Sequence, residues 1–292
     1  MKGLRGTFTP LVTTFRDGKI DQGALKALVE RQLAAGVDGL VPCGTTGEAS
    51  TLALSEHRPV VATVVKMAKR KALVVAGLEA NTTAEAIDMV RLNEDCGASA
   101  LLAVAPYYNQ PSQEGLYRHY AAIAEATELP IVLYNIPRRC GVELSVETVR
   151  RLYETYSNVV AMKHATGSVA GAVDLMVACD IPILAGEDTL AYPLLSLGAV
   201  GVVSPVANLV PETVQRMVQA ALDGEWVTAR EVYLRLYPLV RALRSFEANP
   251  IPIKTALAIK GLCEEEFRLP LCPMCSENRR TLEALLGEHD AT

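Results

Sequence analysis

The stretch Leu73-Val74-Val75-Ala76-Gly77, followed by Thr82-Thr83-Ala84-Glu85, by Cys96-Gly97 and by Ala100-Leu101-Leu102-Ala103-Val104-Ala105, decides how the chain is read. A short apolar run ended by glycine is the pattern of a buried strand, here Leu73 to Ala76. Thr82 and Glu85 have the spacing of a capping box, so a helix starts there and runs to Cys96, where Gly97 closes it. Ala100 to Ala105 is a second apolar run. Strand, helix and strand in about 30 residues form a βαβ unit, whose parallel strands need cover on both faces.

The unit repeats in both directions. Upstream, Leu4 to Thr9 is a strand ended by Pro10. Asp21 caps a helix whose apolar face is Leu25, Leu28, Val29 and Leu33. Leu40 to Cys43 is a strand, Gly44-Thr45-Thr46-Gly47-Glu48 a polar loop, and Ser55 the start of a helix through Val65. Downstream, Ser112 opens a helix ending near Thr127, and Ile131 to Tyr134 is a strand. Ser145 caps a helix to about Tyr156, and Val159 to Lys163 is a strand that ends in a lysine. A helix around 170–178, a strand over Ile183 to Ala185, a helix over Leu190 to Leu197 and a strand over Gly201 to Val203 follow. Pro211 suits the first turn of the next helix.

Eight such units point to a closed (β/α)8 barrel over residues 1–224. The rival is an open doubly wound sheet, which would more often carry a glycine-rich phosphate loop after its first strand; Thr9-Pro10-Leu11 is nothing like one. Beyond residue 225 strands disappear. Helices over Trp226 to Arg244, Ile253 to Leu262 and Glu277 to Leu286 make a C-terminal helical domain, residues 225–292.

Composition narrows the function. The chain has 292 residues, half of them hydrophobic, which is ample for a large core. A net charge of −5 gives no basic footprint for nucleic acid. No apolar stretch is long enough to span a bilayer, and Met1 to Gly6 lacks the apolar core of a signal peptide, so the expected location is the cytoplasm. Seven scattered cysteines do not form a disulfide framework, and Cys272-Pro273-Met274-Cys275 reads as free thiols because a zinc site would need further ligands.

In a parallel barrel the active site lies at the C-terminal ends of the strands. Those ends carry Thr45 and Thr46, Tyr107-Tyr108-Asn109, Tyr134-Asn135 with Arg138 and Arg139 just beyond, Lys163, and Gly186-Glu187-Asp188. Lys163 alone reads better as a surface lysine one residue past a strand end. Tyr107-Tyr108 alone could be a packing pair, the two threonines a turn, Arg138-Arg139 a solvated pair, and Glu187-Asp188 the acidic start of a helix. His57, His119 and His164 are isolated and read as packing residues. Convergence at successive strand ends favours chemistry. A lysine that loses hydration there has a lowered pKa and can form a Schiff base, nearby hydroxyls can move its protons, and arginine can grip a carboxylate. No cluster of metal ligands accompanies them, so no metal is expected. The chemistry implied is a Schiff base to a small α-keto acid, followed by carbon–carbon bond making or breaking.

The chain also resembles a known family. Gly44-Thr45-Thr46-Gly47-Glu48, the run from Pro106-Tyr107-Tyr108-Asn109 to Gly115, Tyr134-Asn135-Ile136-Pro137 with Arg139 and Gly141, Lys163 with Ala165-Thr166-Gly167, Gly186-Glu187-Asp188, and Asn249-Pro250-Ile251-Pro252-Ile253-Lys254 are similar to the motifs of the 4-hydroxy-tetrahydrodipicolinate (dihydrodipicolinate) synthases of the N-acetylneuraminate lyase superfamily. The resemblance spans essentially the whole chain. It implies an imine between Lys163 and pyruvate, and a proton relay through Tyr134, Thr45 and Tyr108, with Tyr108 reaching a neighbouring subunit's site. It implies that Thr46 binds the pyruvate carboxylate and Arg139 that of aspartate semialdehyde, and that Gly186 and Val203 supply backbone groups near Lys163. No cofactor is implied, and the assembly implied is a homotetramer.

Other pyruvate-dependent aldolases share the lysine and tyrosine, and a non-catalytic keto-acid-binding barrel is a further alternative. Arg139 tilts the reading toward the synthase. Departures from the family pattern are Cys140, His164, Pro205 and Leu78-Glu79, which interrupts a loop that is often Gly-Thr-Gly-Ala-Asn; they are expected at the rim rather than at the imine centre. The family's lysine-inhibitor cleft corresponds to Ala49, His57, Asn81, Glu85 and Tyr107. Leu54 stands where lysine-sensitive members have histidine, so weak or absent inhibition is expected.

Overall fold

Short apolar strands that need cover on both faces close on themselves. The computed structural model describes residues 4–290, and the expectation over Met1 to Gly3 lies outside them. Its parallel strands form a closed barrel in the order β1-β10-β9-β8-β7-β6-β5-β4. In the chain these are β1 (Gly6–Pro10), a hairpin β2 (Phe15–Arg16) and β3 (Lys19–Ile20) outside the barrel, then α1 (Gln22–Ala34), β4 (Gly39–Val41), α2 (Leu54–Ala68), β5 (Leu73–Leu78), α3 (Thr83–Asp95), β6 (Ala100–Val104) and α4 (Gln113–Glu125). There follow β7 (Ile131–Asn135), α5 (Pro137–Cys140), α6 (Val146–Thr155), β8 (Val159–His164), α7 (Val169–Ala178), β9 (Ile183–Ala185), α8 (Ala191–Ser196), β10 (Gly201–Val203) and α9 (Pro211–Leu222). Helices α10 (Trp226–Ser245), α11 (Ile251–Ile259) and α12 (Ser276–Asp290) complete the chain.

The helix starts follow local chemistry. Side chains of Asp21, Thr82, Ser112 and Ser145 each accept a backbone N–H three residues on. Helix α2 begins at Leu54, one residue before the expected start at Ser55, and the Glu56 carboxylate accepts the Ala53 N–H at that end. The apolar strands build the core, with Phe8, Leu101, Leu133, Met162 and Leu184 all buried. Each such side chain contributes roughly 1.5–3 kcal/mol by leaving water.

Two details position the site. Strand β5 runs past Gly77 through Leu78, because both residues pair with β6, so Glu79 emerges at the barrel mouth. A Cβ on Gly77 would lie 1.8 Å from the Cys43 carbonyl oxygen, so only glycine lets β5 approach the Gly44–Glu48 loop this closely. The second detail is the register of β7 on β8, which pairs Tyr134 with Lys163.

The C-terminal helices cover this mouth. Helix α10 packs on α9 and brings Val240, Leu243 and Arg244 to the rim, and α11 brings Ile253. Among the described residues no helix is long and apolar enough to cross a membrane. All seven cysteines are free, with Cys272 and Cys275 exposed.

Candidate active site

A cavity of ≈ 530 Å³ opens at the C-terminal ends of the strands, lined by Thr45, Thr46, Tyr134, Arg139, Lys163 and Gly186 together with the rim residues. Lys163 is the second-last residue of the apolar strand β8 and is 6% exposed. Its Nζ lies 3.8 Å from the centroid of the Tyr134 ring. Burial pushes the ammonium down to about 7; Glu79 and Asp188 oppose the shift, and Arg139 adds to it. An ordinary lysine would be almost wholly protonated at neutral pH, whereas this one is about half neutral. Burial likewise raises Tyr134 well above the usual phenol range, with the negative charge of Glu79 adding to it and a hydrogen bond shared with Thr45 opposing it.

Thr45 and Thr46 sit in a 3-10 turn after β4, between two left-handed residues, Cys43 (φ 53°) and Glu48 (φ 56°). Non-glycine residues held there mark backbone constrained by its surroundings. Thr45 Oγ1 donates to Glu79 Oε1 at 2.6 Å. Glu79 therefore stands behind the cavity wall, bonded to one of its lining residues, and not at the rim, contrary to the expectation for Leu78-Glu79. The physical reason is the two-residue extension of β5, which carries its side chain to the Thr45 turn.

The outer site is also connected. Asn249 Nδ2 donates to Thr46 Oγ1 at 3.0 Å, and Arg139 Nη2 donates to the Asn249 carbonyl at 2.7 Å. Arg139 lies on α5, an unanticipated single turn that starts at Pro137 and ends at left-handed Gly141. Glu187 is buried and takes Arg244 at 2.7 Å, with Arg138 at 4.0 Å. Asp188 accepts the Val206 N–H and is pushed up to about 6 by burial. These two acids are thus engaged in tertiary contacts, beyond the helix-start role read from their position. No role in the site is read from the sequence for Arg244, Asn249 or Glu79, although the Asn249-Pro250 motif and the Leu78-Glu79 departure mark two of them.

Some expected residues lie apart. Tyr108 is 90% exposed, with φ 72°, and does not line the cavity of its own chain. Val203 ends β10 and is buried against β1. Of the positions expected from the resemblance to match an inhibitor cleft, Ala49 and Tyr107 are half-buried, Asn81 accepts Asn109 through its carbonyl, and Glu85 is exposed in the first turn of α3. His57 is buried, its Nε2 lies 3.0 Å from Asn93 Oδ1, and burial lowers its pKa. His119 and His164 are buried packing residues, bonded to Thr83 and to Thr166 with Ser168 respectively.

A parallel barrel with one desolvated lysine at its mouth, flanked by a buried tyrosine, belongs to the class of sites suited to amine–carbonyl chemistry. The chain belongs to the dihydrodipicolinate synthetase family, whose model matches residues 3–289. It is 46% identical over 287 residues to a 4-hydroxy-tetrahydrodipicolinate synthase of Pelobacter propionicus, covering 98% of each chain. A Geobacter metallireducens protein of the same name is 44% identical over 288 residues, covering 98% of this chain and 99% of its own. The solved structure of the 4-hydroxy-tetrahydrodipicolinate synthase from Methylacidiphilum fumariolicum SolV is similar with a TM-score of 0.96 and 45% identity, over 99% of this chain and 96% of that one.

Proposed function

We propose that this protein condenses pyruvate with L-aspartate 4-semialdehyde to give 4-hydroxy-tetrahydrodipicolinate, a step toward diaminopimelate and lysine. The observation that carries the reading is Lys163: buried at the barrel mouth, titrating near 7, and paired in register with Tyr134. Membership of the family and near-full-length similarity to proteins of that name support the choice of substrates.

The neutral Lys163 amine adds to C2 of pyruvate while the carbonyl oxygen takes a proton from Tyr134. The carbinolamine then loses water, and the protonated imine draws electrons from the methyl carbon, so no cofactor is needed for the enamine to form. The enamine carbon attacks the aldehyde. Thr46 holds the pyruvate carboxylate, Arg139 holds that of the semialdehyde at the entrance, and Gly186 and Val203 offer backbone groups near Lys163. Thr45 belongs to the relay, joined by Tyr108 from a neighbouring copy in a homotetramer, a reading that suits a tyrosine exposed on its own chain. The enzyme works in the cytoplasm.

Borohydride reduction in the presence of pyruvate, followed by peptide mass spectrometry, tests the mechanism. A reduced pyruvyl adduct confined to Lys163 is expected; no adduct, or one on another lysine, overturns it.

A further inference from the structure

Glu79 stands where the resembled loop commonly has glycine, and nothing in the mechanism above employs it. Its carboxylate is half-buried behind the cavity wall and takes the hydroxyl hydrogen of Thr45 at 2.6 Å. A threonine hydroxyl has one hydrogen. That hydrogen is directed at Glu79, and Thr45 and Tyr134 line the same cavity. The Thr45–Glu79 bond therefore extends the relay through Tyr134 and Thr45 inward, from beside Lys163 to a carboxylate of the same subunit.

We propose that Glu79 is the inner terminus of this relay: a positioning residue that fixes the Thr45 hydroxyl and stores one proton during imine formation. The proton balance is simple. Protonated Lys163 gives up one proton to become the nucleophile, and that proton passes through Tyr134 and Thr45 to the Glu79 carboxylate. The nitrogen lone pair forms the new bond to C2. When the carbinolamine C–O bond breaks, the stored proton returns by the same route and leaves with the hydroxyl as water.

The surroundings suit this role. Burial raises the Glu79 pKa, while Thr45, Lys163 of β8 and Arg139 of α5 pull it back. Tyr134 of β7, Tyr107, Cys43 and Cys140 face the same charge, and each is raised in part by it. Lys163 in turn feels Glu79 as the largest influence holding its proton on, with Asp188 helping and Arg139 opposing. A carboxylate at this place thus holds the Thr45 hydroxyl and opposes the loss of the Lys163 proton that burial favours.

The inference rests on the Schiff-base reading, and the test separates the two. Wild type, Glu79→Gln, Glu79→Gly and Tyr108→Phe are compared in the full chain. The rate of the borohydride-trappable pyruvate adduct and the pH dependence of kcat/KM are measured. Glu79→Gln is expected to slow adduct formation about 10–100-fold, with KM for pyruvate within twofold, as for loss of a proton-transfer partner. Its acidic limb should move to lower pH, because the charge holding the proton on Lys163 is gone. Glu79→Gly, which carries the residue common in the resembled loop, should show the same displacement if the glutamine variant does not fold. An adduct on wild-type Lys163 with an unmoved acidic limb in both variants overturns the inference alone, as does a loss confined to Tyr108→Phe. Absence of an adduct in wild type overturns the Schiff-base reading and the inference with it.

Discussion

Lys254 Nζ lies 2.7 Å from Glu48 Oε1, and neither side chain reaches solvent. The pair ties α11 to the loop that carries Thr45 and Thr46. Glu48 Oε2 also accepts the Arg268 N–H, and the Lys254 ammonium sits over the rings of Phe15 at 4.2 Å and Phe267 at 5.0 Å. Removing one partner would strand a buried charge. Lys254→Met is therefore expected to lower stability by about 3–5 kcal/mol, and the double variant Lys254→Met with Glu48→Leu to recover part of that loss. Urea denaturation of both variants checks it.

The second expectation concerns pH. Lys163 is held at about 7 by burial. At pH values below this, kcat/KM for pyruvate should fall about tenfold per pH unit as the amine is protonated. The linkage has the sign of a base whose pKa is lowered on folding. The folded state binds fewer protons than the unfolded one, so the destabilisation is fully present below about 7 and is relieved as pH rises toward the ordinary lysine value. Lys163→Met should abolish the adduct and stabilise the protein at pH 6 by on the order of 1–2 kcal/mol, read as a shift in Tm.

Gly186 has no room for a side chain. A Cβ there would lie 2.9 Å from Ala165 Cβ, 3.0 Å from the His164 carbonyl oxygen and 3.1 Å from Lys163 Cε. Gly186→Ala must shift β8 against the loop after β9 and displace the lysine. A loss of about 100-fold in kcat is expected, since a displacement near 1 Å has that effect, with a fold otherwise intact by circular dichroism.

Arg139 reaches the Asn249 carbonyl, and the Asn249 side chain reaches Thr46. Arg139→Ala should reduce kcat/KM for aspartate semialdehyde about 10–100-fold, the effect of losing a charged hydrogen bond of roughly 1.5–3 kcal/mol. Adduct formation with pyruvate should persist. Steady-state kinetics with each substrate varied in turn distinguishes this from a general loss.

Leu54 is half-exposed at the start of α2, at the position where the family resemblance read from the sequence implies histidine in lysine-sensitive members. Half-inhibition by L-lysine is expected only above about 1 mM, a weak affinity for so polar a ligand. A titration showing half-inhibition well below that concentration overturns the expectation.

What the sequence by itself determined is the alternation of apolar strands with capped helices, the closure it implies, and the placing of Lys163, Tyr134 and Thr45 at strand ends with Arg139 just beyond one. These are local properties: burial patterns, caps and turn residues act over a few neighbours and are written along the chain. The short hairpin β2–β3 and the single turn α5 had no such pattern to announce them. Only the tertiary structure decided that Asn249 reaches Thr46, that Arg244 covers Glu187 and that Glu79 bonds Thr45, because each pair is brought together by strand register and by the packing of α10 and α11 across the mouth. Lys163 shows the division in one residue. Its chemical type and strand were legible in order, but its lowered proton affinity comes from neighbours that are distant in sequence and adjacent in space.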